Sequence, residues 1–166
     1  MKKKPIVLIV MCALFLLMSA CSTSKKESSD PLEFLGIKTG SSKEDVLKKF
    51  PNANVMESAI NCDNIDTDYG SKNTLAYFSL NDSDQVFEMG VNWRAITEKE
   101  AKKIYDSLKS EAEEKYGDSY DATHGDEVSE RCIWETDDYR VCIILELGTS
   151  LNGNLVDITY TDYNML

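Results

Sequence analysis

Apolar residues recur at intervals of three and four between residues 96 and 117, which is the spacing of one face of an α-helix. Thr97 and Glu100 form a capping box at the start of this segment, and Gly117 suits its C-terminal end. The predicted buried stripe consists of Ala101, Ile104, Tyr105, Leu108, Ala112 and Tyr116.

A shorter helix is predicted over residues 42–50, with Ser41 and Glu44 as its capping box and Pro51 as its stop. Its apolar residues are Val46, Leu47 and Phe50. A helix this short needs tertiary packing to be stable.

Strict alternation of apolar and polar residues predicts strands elsewhere in the chain. The predicted strands cover residues 56–61, 74–80, 85–93, 130–136, 139–147 and 154–162. In the first half, the inward set is Ala76, Phe78, Leu80, Phe87, Met89, Val91 and Trp93. In the second half, it is Val141, Ile143, Leu145, Leu147, Val156, Ile158 and Tyr160.

The two halves share one plan: a helix, a strand with a cysteine, an apolar strand, a polar turn and a third strand. Cys62 corresponds to Cys132 in this alignment. The pattern predicts an α+β fold, in which an antiparallel sheet carries helices on one face, built from two tandem αβββ units at about 31–95 and 96–166. Together they form a single globular domain over residues 31–166.

The N-terminal segment is typical of a bacterial lipoprotein signal peptide. Three lysines precede an apolar run over residues 6–18, and Ser19 and Ala20 precede Cys21. The run is shorter than the about 20 residues that span a bilayer. We therefore expect cleavage after residue 20 and lipidation of Cys21 on the extracytoplasmic face of the cell membrane, with plain secretion as the alternative. Residues 21–30 lack apolar side chains to bury and are expected to be a disordered tether.

Removal of residues 1–20 takes away three lysines and no acidic residue, so the net charge changes from −11 to −14. An acidic surface repels nucleic-acid phosphates and anionic lipid headgroups. Nucleic-acid binding is therefore disfavoured and no nucleic-acid partner is expected, whereas contact with the membrane is expected through the lipid on Cys21.

Three cysteines remain beyond Cys21, namely Cys62, Cys132 and Cys142. In a hairpin at residues 137–138, a two-residue loop puts Cys132 opposite Ile143, with the two cysteines on opposite faces. A three-residue loop puts Cys132 opposite Cys142 and allows a disulfide. The sequence leaves both registers open.

No pattern of catalytic or metal-binding residues is present, so the sequence predicts neither an enzyme nor a cofactor. His124 lies in a polar loop, and no Gly-x-Ser-x-Gly elbow or phosphate loop occurs. Asn64, Asp66 and Asp68 have the spacing of a calcium loop, but the glycine and glutamate that complete such a loop are missing, so no metal site is predicted.

Aromatic residues lie near the strand ends, where they serve either as core packing or as ligand anchors. They are Trp93, Trp134, Tyr139, Tyr160 and Tyr163.

The segment from Gly36 to Val46 contains two glycines, Thr39, two serines and Glu44-Asp45-Val46, and it resembles the opening of small envelope lipoproteins of the SmpA/BamE type. The doubled αβββ plan is similar to the tandem architecture of the β-lactamase inhibitor protein. These resemblances imply a helix-backed antiparallel sheet that holds other proteins without catalysis.

The sheet face away from the helices carries Leu75, Tyr77 and Ile144 with a charged rim that includes Arg140. An apolar centre with a charged rim is typical of a protein-binding patch. The sequence therefore predicts a membrane-anchored lipoprotein that acts as a non-catalytic interaction module for an envelope protein or peptide. The alternative is a lipoprotein that binds a small ligand or a divalent ion in a pocket.

Overall fold

The computed structural model describes residues 32–70, 73–121, 127–135 and 140–166. The predicted signal peptide, Cys21 and the tether lie outside the described residues. His124 and the hairpin tip at residues 137–138 also lie outside them.

Two helices are described. The first, α1, covers Lys43–Lys49, and the second, α2, covers Glu98–Tyr116. The capping box of α2 is formed by Thr97 and Glu100, and Gly117 is its C-cap, as the sequence predicts. The capping box of α1 lies one residue later than predicted and consists of Ser42 and Asp45.

Ten strands are described, and eight of them form one antiparallel sheet in the order β3-β4-β5-β6-β10-β9-β8-β7. The strands are β1 Glu33–Phe34, β2 Ile37–Lys38, β3 Asn54–Val55, β4 Ala59–Asp63, β5 Thr74–Leu80, β6 Val86–Ile96, β7 Tyr120–Asp121, β8 Val128–Glu135, β9 Val141–Ser150 and β10 Gly153–Asp162. Strands β1 and β2 form a separate two-stranded ribbon. A 3₁₀ helix, Tyr163–Met165, follows β10.

Both helices pack on the same face of the large sheet, which we call the inner face. The rings of Phe50, at the end of α1, and Phe78, on β5, are stacked with centroids 5.6 Å apart. From α2, the Tyr105 hydroxyl lies 3.1 Å from the sulfur of Cys132 on β8. The protein therefore has a mixed α+β fold with its core between the helices and one side of the sheet.

A bulge in the β5–β6 hairpin changes the predicted inward set. Ser79 pairs with Glu88, but Leu80 pairs with Val86, so the pairing skips one residue. Val86 is fully buried as a result, whereas Phe87 is only half-buried. The prediction that Phe87 points into the core is therefore wrong, because periodicity alone does not reveal an extra residue in a strand.

The register of β8 and β9 differs from both predicted registers. Cys132 pairs with Leu145, and Cys142 pairs with Glu135. The two cysteines therefore lie on opposite faces of the sheet and cannot be bridged in this register. Cys62, Cys132 and Cys142 are all buried free thiols, so the disulfide between Cys132 and Cys142 is not formed.

Neither described helix is long and apolar enough to cross a membrane.

Candidate functional site

The face of the sheet away from the helices, which we call the outer face, is organised in three rows of paired residues. Its central row crosses the sheet in the order Asn61, Tyr77, Gly90, Thr159, Ile144 and Ile133. The acidic row beside it contains Asp63, Leu75, Asn92, Asp157, Glu146 and Arg131. The row on the other side contains Ala59, Ser79, Glu88, Thr161, Cys142 and Glu135.

The Tyr77 side chain crosses the centre of the sheet because Gly90, opposite it, has no side chain. A Cβ atom added to Gly90 would lie 2.5 Å from Cζ of Tyr77 and 2.6 Å from the carbonyl oxygen of Ile158. The Tyr77 hydroxyl lies 2.5 Å from Oγ1 of Thr159, on the far side of Gly90. Gly90 thus allows Tyr77 to lie flat and to connect the two halves of the sheet.

A hydrogen-bonded chain continues from Tyr77 into the acidic row. Thr159 donates to a carboxylate oxygen of Asp157 at 2.9 Å, so Tyr77 must donate to Thr159. Asn92 donates to the other oxygen of Asp157 at 3.1 Å. Burial raises the pKa of Asp157, whereas these hydrogen bonds from Asn92 and Thr159 oppose the rise.

The charged side chains on both sides of the central row are also held in place. Arg131 forms an ion pair with Glu146. Glu88 accepts hydrogen bonds from Ser79 at 3.0 Å and from Thr161 at 3.2 Å. Such contacts reduce the side-chain entropy that a partner would otherwise have to remove on binding.

The structure brings together three of the four residues predicted for partner binding. Tyr77 and Ile144 share the central row, and Leu75 is in the acidic row, one step along β5 from Tyr77. All three are half-buried. Arg140 lies before the start of β9, where its side chain donates to Asn164 at 3.2 Å. It therefore belongs to the end of the sheet and not to the rows around Tyr77.

We expect Gly90→Ala to lower the free energy of unfolding by about 1 to 3 kcal/mol, because the added methyl group overlaps Tyr77 and the Ile158 carbonyl. Urea denaturation measures this change. Asn61→Ala, on β4 in the same row, serves as the control and should change stability by less than about 0.5 kcal/mol. Equal midpoints for the two variants would contradict the close approach of Tyr77.

On the inner side, a cavity of about 400 Å³ lies between α2, the loop over residues 64–70 and the β1–β2 turn. Trp93 from β6 and Tyr160 from β10 line it from the sheet, and Leu108 and Ala112 line it from α2. We call it the aromatic cavity. The sequence indicates that Trp93 and Tyr160 are core residues or ligand anchors near strand ends. It does not indicate that both border the same cavity.

Tyr69 closes the loop onto the helix at this cavity. Its hydroxyl donates to Glu111 of α2, and its ring meets Trp93 edge-on with centroids 5.9 Å apart. The Trp93 indole N–H donates to the Thr67 hydroxyl at 3.3 Å. Tyr69 and Trp93 also border a second cavity of about 640 Å³ next to the first turns of α2.

In the part of the chain that the structure describes, the thiols of Cys62 and Cys142 and the partial calcium loop lack the features of a reactive or metal-binding site. Burial raises the pKa of Cys62 and of Cys142 to about 11, which is opposite to the change that activates a thiol. Asn64 uses its side-chain oxygen to accept a hydrogen bond from the backbone N–H of Asn73 at 3.3 Å. Within the described residues, no group of three or more His, Cys, Asp or Glu side chains could hold a metal ion.

Comparison with known proteins found no matching family model, no matching curated protein and no matching solved structure.

Proposed function

We propose that the protein is a lipoprotein of the cell envelope, anchored through Cys21, and that it acts as a non-catalytic protein-interaction module. Its partner is an envelope protein or peptide that binds the outer face. The observation that carries this proposal is the central row, where Tyr77, Ile144 and Ile133 are partly accessible between two rows of polar side chains.

The layout of the outer face supports a protein partner. Aromatic and aliphatic side chains in the middle of a patch supply most of the binding energy when a polar rim surrounds them. Tyr77 is held by Thr159 and by its position over Gly90, so it is ordered before a partner arrives. A pre-ordered anchor costs less conformational entropy on association.

The charges of the outer face support a basic partner. Asp63, Asp157 and Glu146 lie on one side of the central row, and Glu88 and Glu135 lie on the other. Arg131 is already paired with Glu146, and Arg94, beside the acidic row on β6, donates to Asn92 at 2.7 Å. A partner with lysine or arginine around an apolar centre would complement this surface.

We also infer that the domain is a tandem repeat of two αβββ units. The strand order β3-β4-β5-β6 in one half is mirrored by β7-β8-β9-β10 in the other, and β6 pairs with β10 in the middle. In each half, a helix is followed by a two-residue edge strand and then by three longer strands. The register of β6 and β10 fits a two-fold rotation that exchanges the halves about an axis between Gly90 and Thr159. This rotation places Met89 on Ile158 and Tyr160 on Val91.

The register changes one correspondence within the proposed repeat. Ile60 pairs with Phe78, and Cys132 pairs with Leu145, which is the counterpart of Phe78. Cys132 therefore takes the place of Ile60, and Cys62 takes the place of Trp134. We keep as part of this proposal the resemblance to the β-lactamase inhibitor protein and to lipoproteins of the SmpA/BamE type. The feature that the resemblance implies is a sheet with helices on one face.

Photo-crosslinking in the native cell tests the proposal. A photoreactive phenylalanine is placed at Tyr77 and, in a separate strain, at Ile144. Lys48 on α1 and Glu114 on α2 are exposed helix positions that serve as controls. We expect one protein to be captured at both sheet positions and at neither helix position, because only the sheet positions lie on the outer face.

The identity and salt dependence of the captured protein complete the test. The proposal requires a partner with a basic surface and a cross-linking yield that falls as salt rises, since screening weakens attraction between opposite charges. Equal capture at the helix and sheet positions, or a yield unaffected by salt, would overturn it.

A further inference from the structure

The aromatic cavity has an acidic opening. Asp66 and Asp68 border it from the loop, and Glu111 borders it from α2. All three carboxylates are on exposed residues, and none of them forms an ion pair within the described part of the chain. The opening therefore carries three negative charges against one nearby lysine, Lys115.

We propose that the aromatic cavity binds an organic ammonium ion, whose apolar part contacts the aromatic lining and whose positive nitrogen faces Glu111 and the loop carboxylates. This site lies on the inner side of the sheet, so it is independent of the protein partner proposed for the outer face. The sequence analysis leaves open a lipoprotein that binds a small ligand in a pocket. The proposed site says where such a ligand would bind and to which chemical class it would belong.

The lining is suited to an apolar group that carries a positive charge. Trp93, Tyr69, Tyr116, Tyr160 and Phe34 all border the cavity. The faces of aromatic rings attract cations, and tryptophan and tyrosine do so most strongly. Lys115 makes a contact of this kind at the same rim, where its ammonium nitrogen lies 4.9 Å from the centroid of the Tyr116 ring.

Tyr69 and Tyr160 contribute phenol groups to the lining of the cavity. Burial raises the pKa of Tyr160, and Tyr116, Glu111 and Tyr69 raise it further. Burial and the hydrogen bond to Glu111 likewise raise the pKa of Tyr69. Tyr69 and Tyr160 therefore present neutral phenol groups to the cavity, and the acidic side chains at its opening favour a positive ligand over a negative one.

The arrangement favours an organic cation over a metal ion. No three carboxylates, cysteines or histidines in the described residues come close enough to ligate a metal. An ammonium ion spreads its charge over a larger volume and needs no short, directed bonds to several ligands at once. A cavity of about 400 Å³ also falls in the range of known small-molecule sites, which are about 300 to 1,000 Å³.

Benzyltrimethylammonium is a suitable probe, because it combines an aromatic ring with a permanent positive charge. Benzyl alcohol serves as its uncharged control. The full-length chain, labelled with nitrogen-15 in a neutral detergent, is titrated with each probe and followed by NMR. The indole N–H of Trp93 reports on the cavity, whereas that of Trp134, which donates to the Gly117 carbonyl at 2.9 Å, is the internal control.

We expect benzyltrimethylammonium to shift the Trp93 indole signal in a saturable way and to leave that of Trp134 in place. Benzyl alcohol at the same concentrations should produce a much smaller shift. If the two probes shift Trp93 equally, or if the cation shifts neither indole, the proposed ammonium site is wrong.

A pair of charge variants tests the role of the acidic opening. Glu111→Gln keeps an oxygen that can accept from Tyr69 and removes the charge, and we expect it to weaken binding by about threefold to fivefold. Glu114→Gln makes the same change at an exposed position of α2 that does not border the cavity, and it should leave the dissociation constant unchanged. Equal constants for the two variants would overturn the proposal. Crosslinking at Tyr77 concerns the opposite face, so either proposal can fail without the other.

Discussion

Replacement of Leu108 by alanine is expected to lower the free energy of unfolding by about 2 to 5 kcal/mol. Leu108 lies in the middle of α2, is 4% exposed and belongs to the hydrophobic core. Truncation removes apolar contacts and leaves a space that the sheet below cannot fill, because sheet and helix backbones relax only partly. Urea denaturation followed by circular dichroism measures the effect.

Ser110→Ala provides the matched control two residues along the same helix. Ser110 is exposed, so its replacement should change stability by less than about 0.5 kcal/mol. Similar urea midpoints for Leu108→Ala and Ser110→Ala would contradict the orientation of α2 on the sheet.

The position of α2 could be predicted from the sequence because its signals are local. Thr97 and Glu100 are three residues apart, and the buried stripe follows them at helical spacing. The sequence predicts the start of α1 one residue early, since Ser41 and Ser42 both suit a cap. Contacts distant in sequence decide between them, because the Ser41 carbonyl accepts a hydrogen bond from the N–H of Val86.

Strand register could not be predicted in the same way. The pairing of Cys132 with Leu145 depends on the loop between β8 and β9, and the burial of Val86 depends on a bulge opposite Leu80. The register does not alter the alternation of inward and outward residues within a strand, and the bulge interrupts it only around Phe87. The faces of most strand residues were therefore predictable, whereas their cross-strand neighbours were not.

For the candidate sites as well, the sequence predicts the face on which a residue lies but not its neighbours on other strands. Alternation alone placed Leu75, Tyr77 and Ile144 on the face away from the helices. The role of Gly90 required knowledge of its neighbour, because a glycine within an apolar strand does not reveal which side chain crosses it. The aromatic cavity depends on the contact between Tyr69 and Glu111, which are 42 residues apart and carry no common motif.

The two proposed sites lie on opposite faces of the same sheet, and neighbouring residues of one strand contribute to different sites. Trp93 and Asn92 are neighbours on β6, yet Trp93 borders the aromatic cavity, and Asn92 donates to Asp157 on the outer face. A single layer of sheet thus separates the proposed ammonium site from the proposed partner site. Tyr160 and Thr159 on β10 divide between the two faces in the same way.

Replacement of Cys21 by alanine is expected to move the protein from the detergent phase to the aqueous phase in a detergent-partitioning experiment, or to leave it as an unprocessed precursor. The reason is that Leu17-Met18-Ser19-Ala20-Cys21 resembles the cleavage site of a lipoprotein signal, in which the cysteine receives the lipid. More than one acyl chain is needed for stable attachment, since a single chain binds a membrane only marginally.

Cys12→Ala is the matched control, because it makes the same chemical change within the apolar run and leaves the residues around Cys21 intact. We expect this variant to partition with the detergent as the wild type does. If the Cys21→Ala protein also remained in the detergent phase as a processed chain, the anchor would not be a lipid on Cys21. An outer face that binds a partner would then belong to a protein held at the envelope by another means.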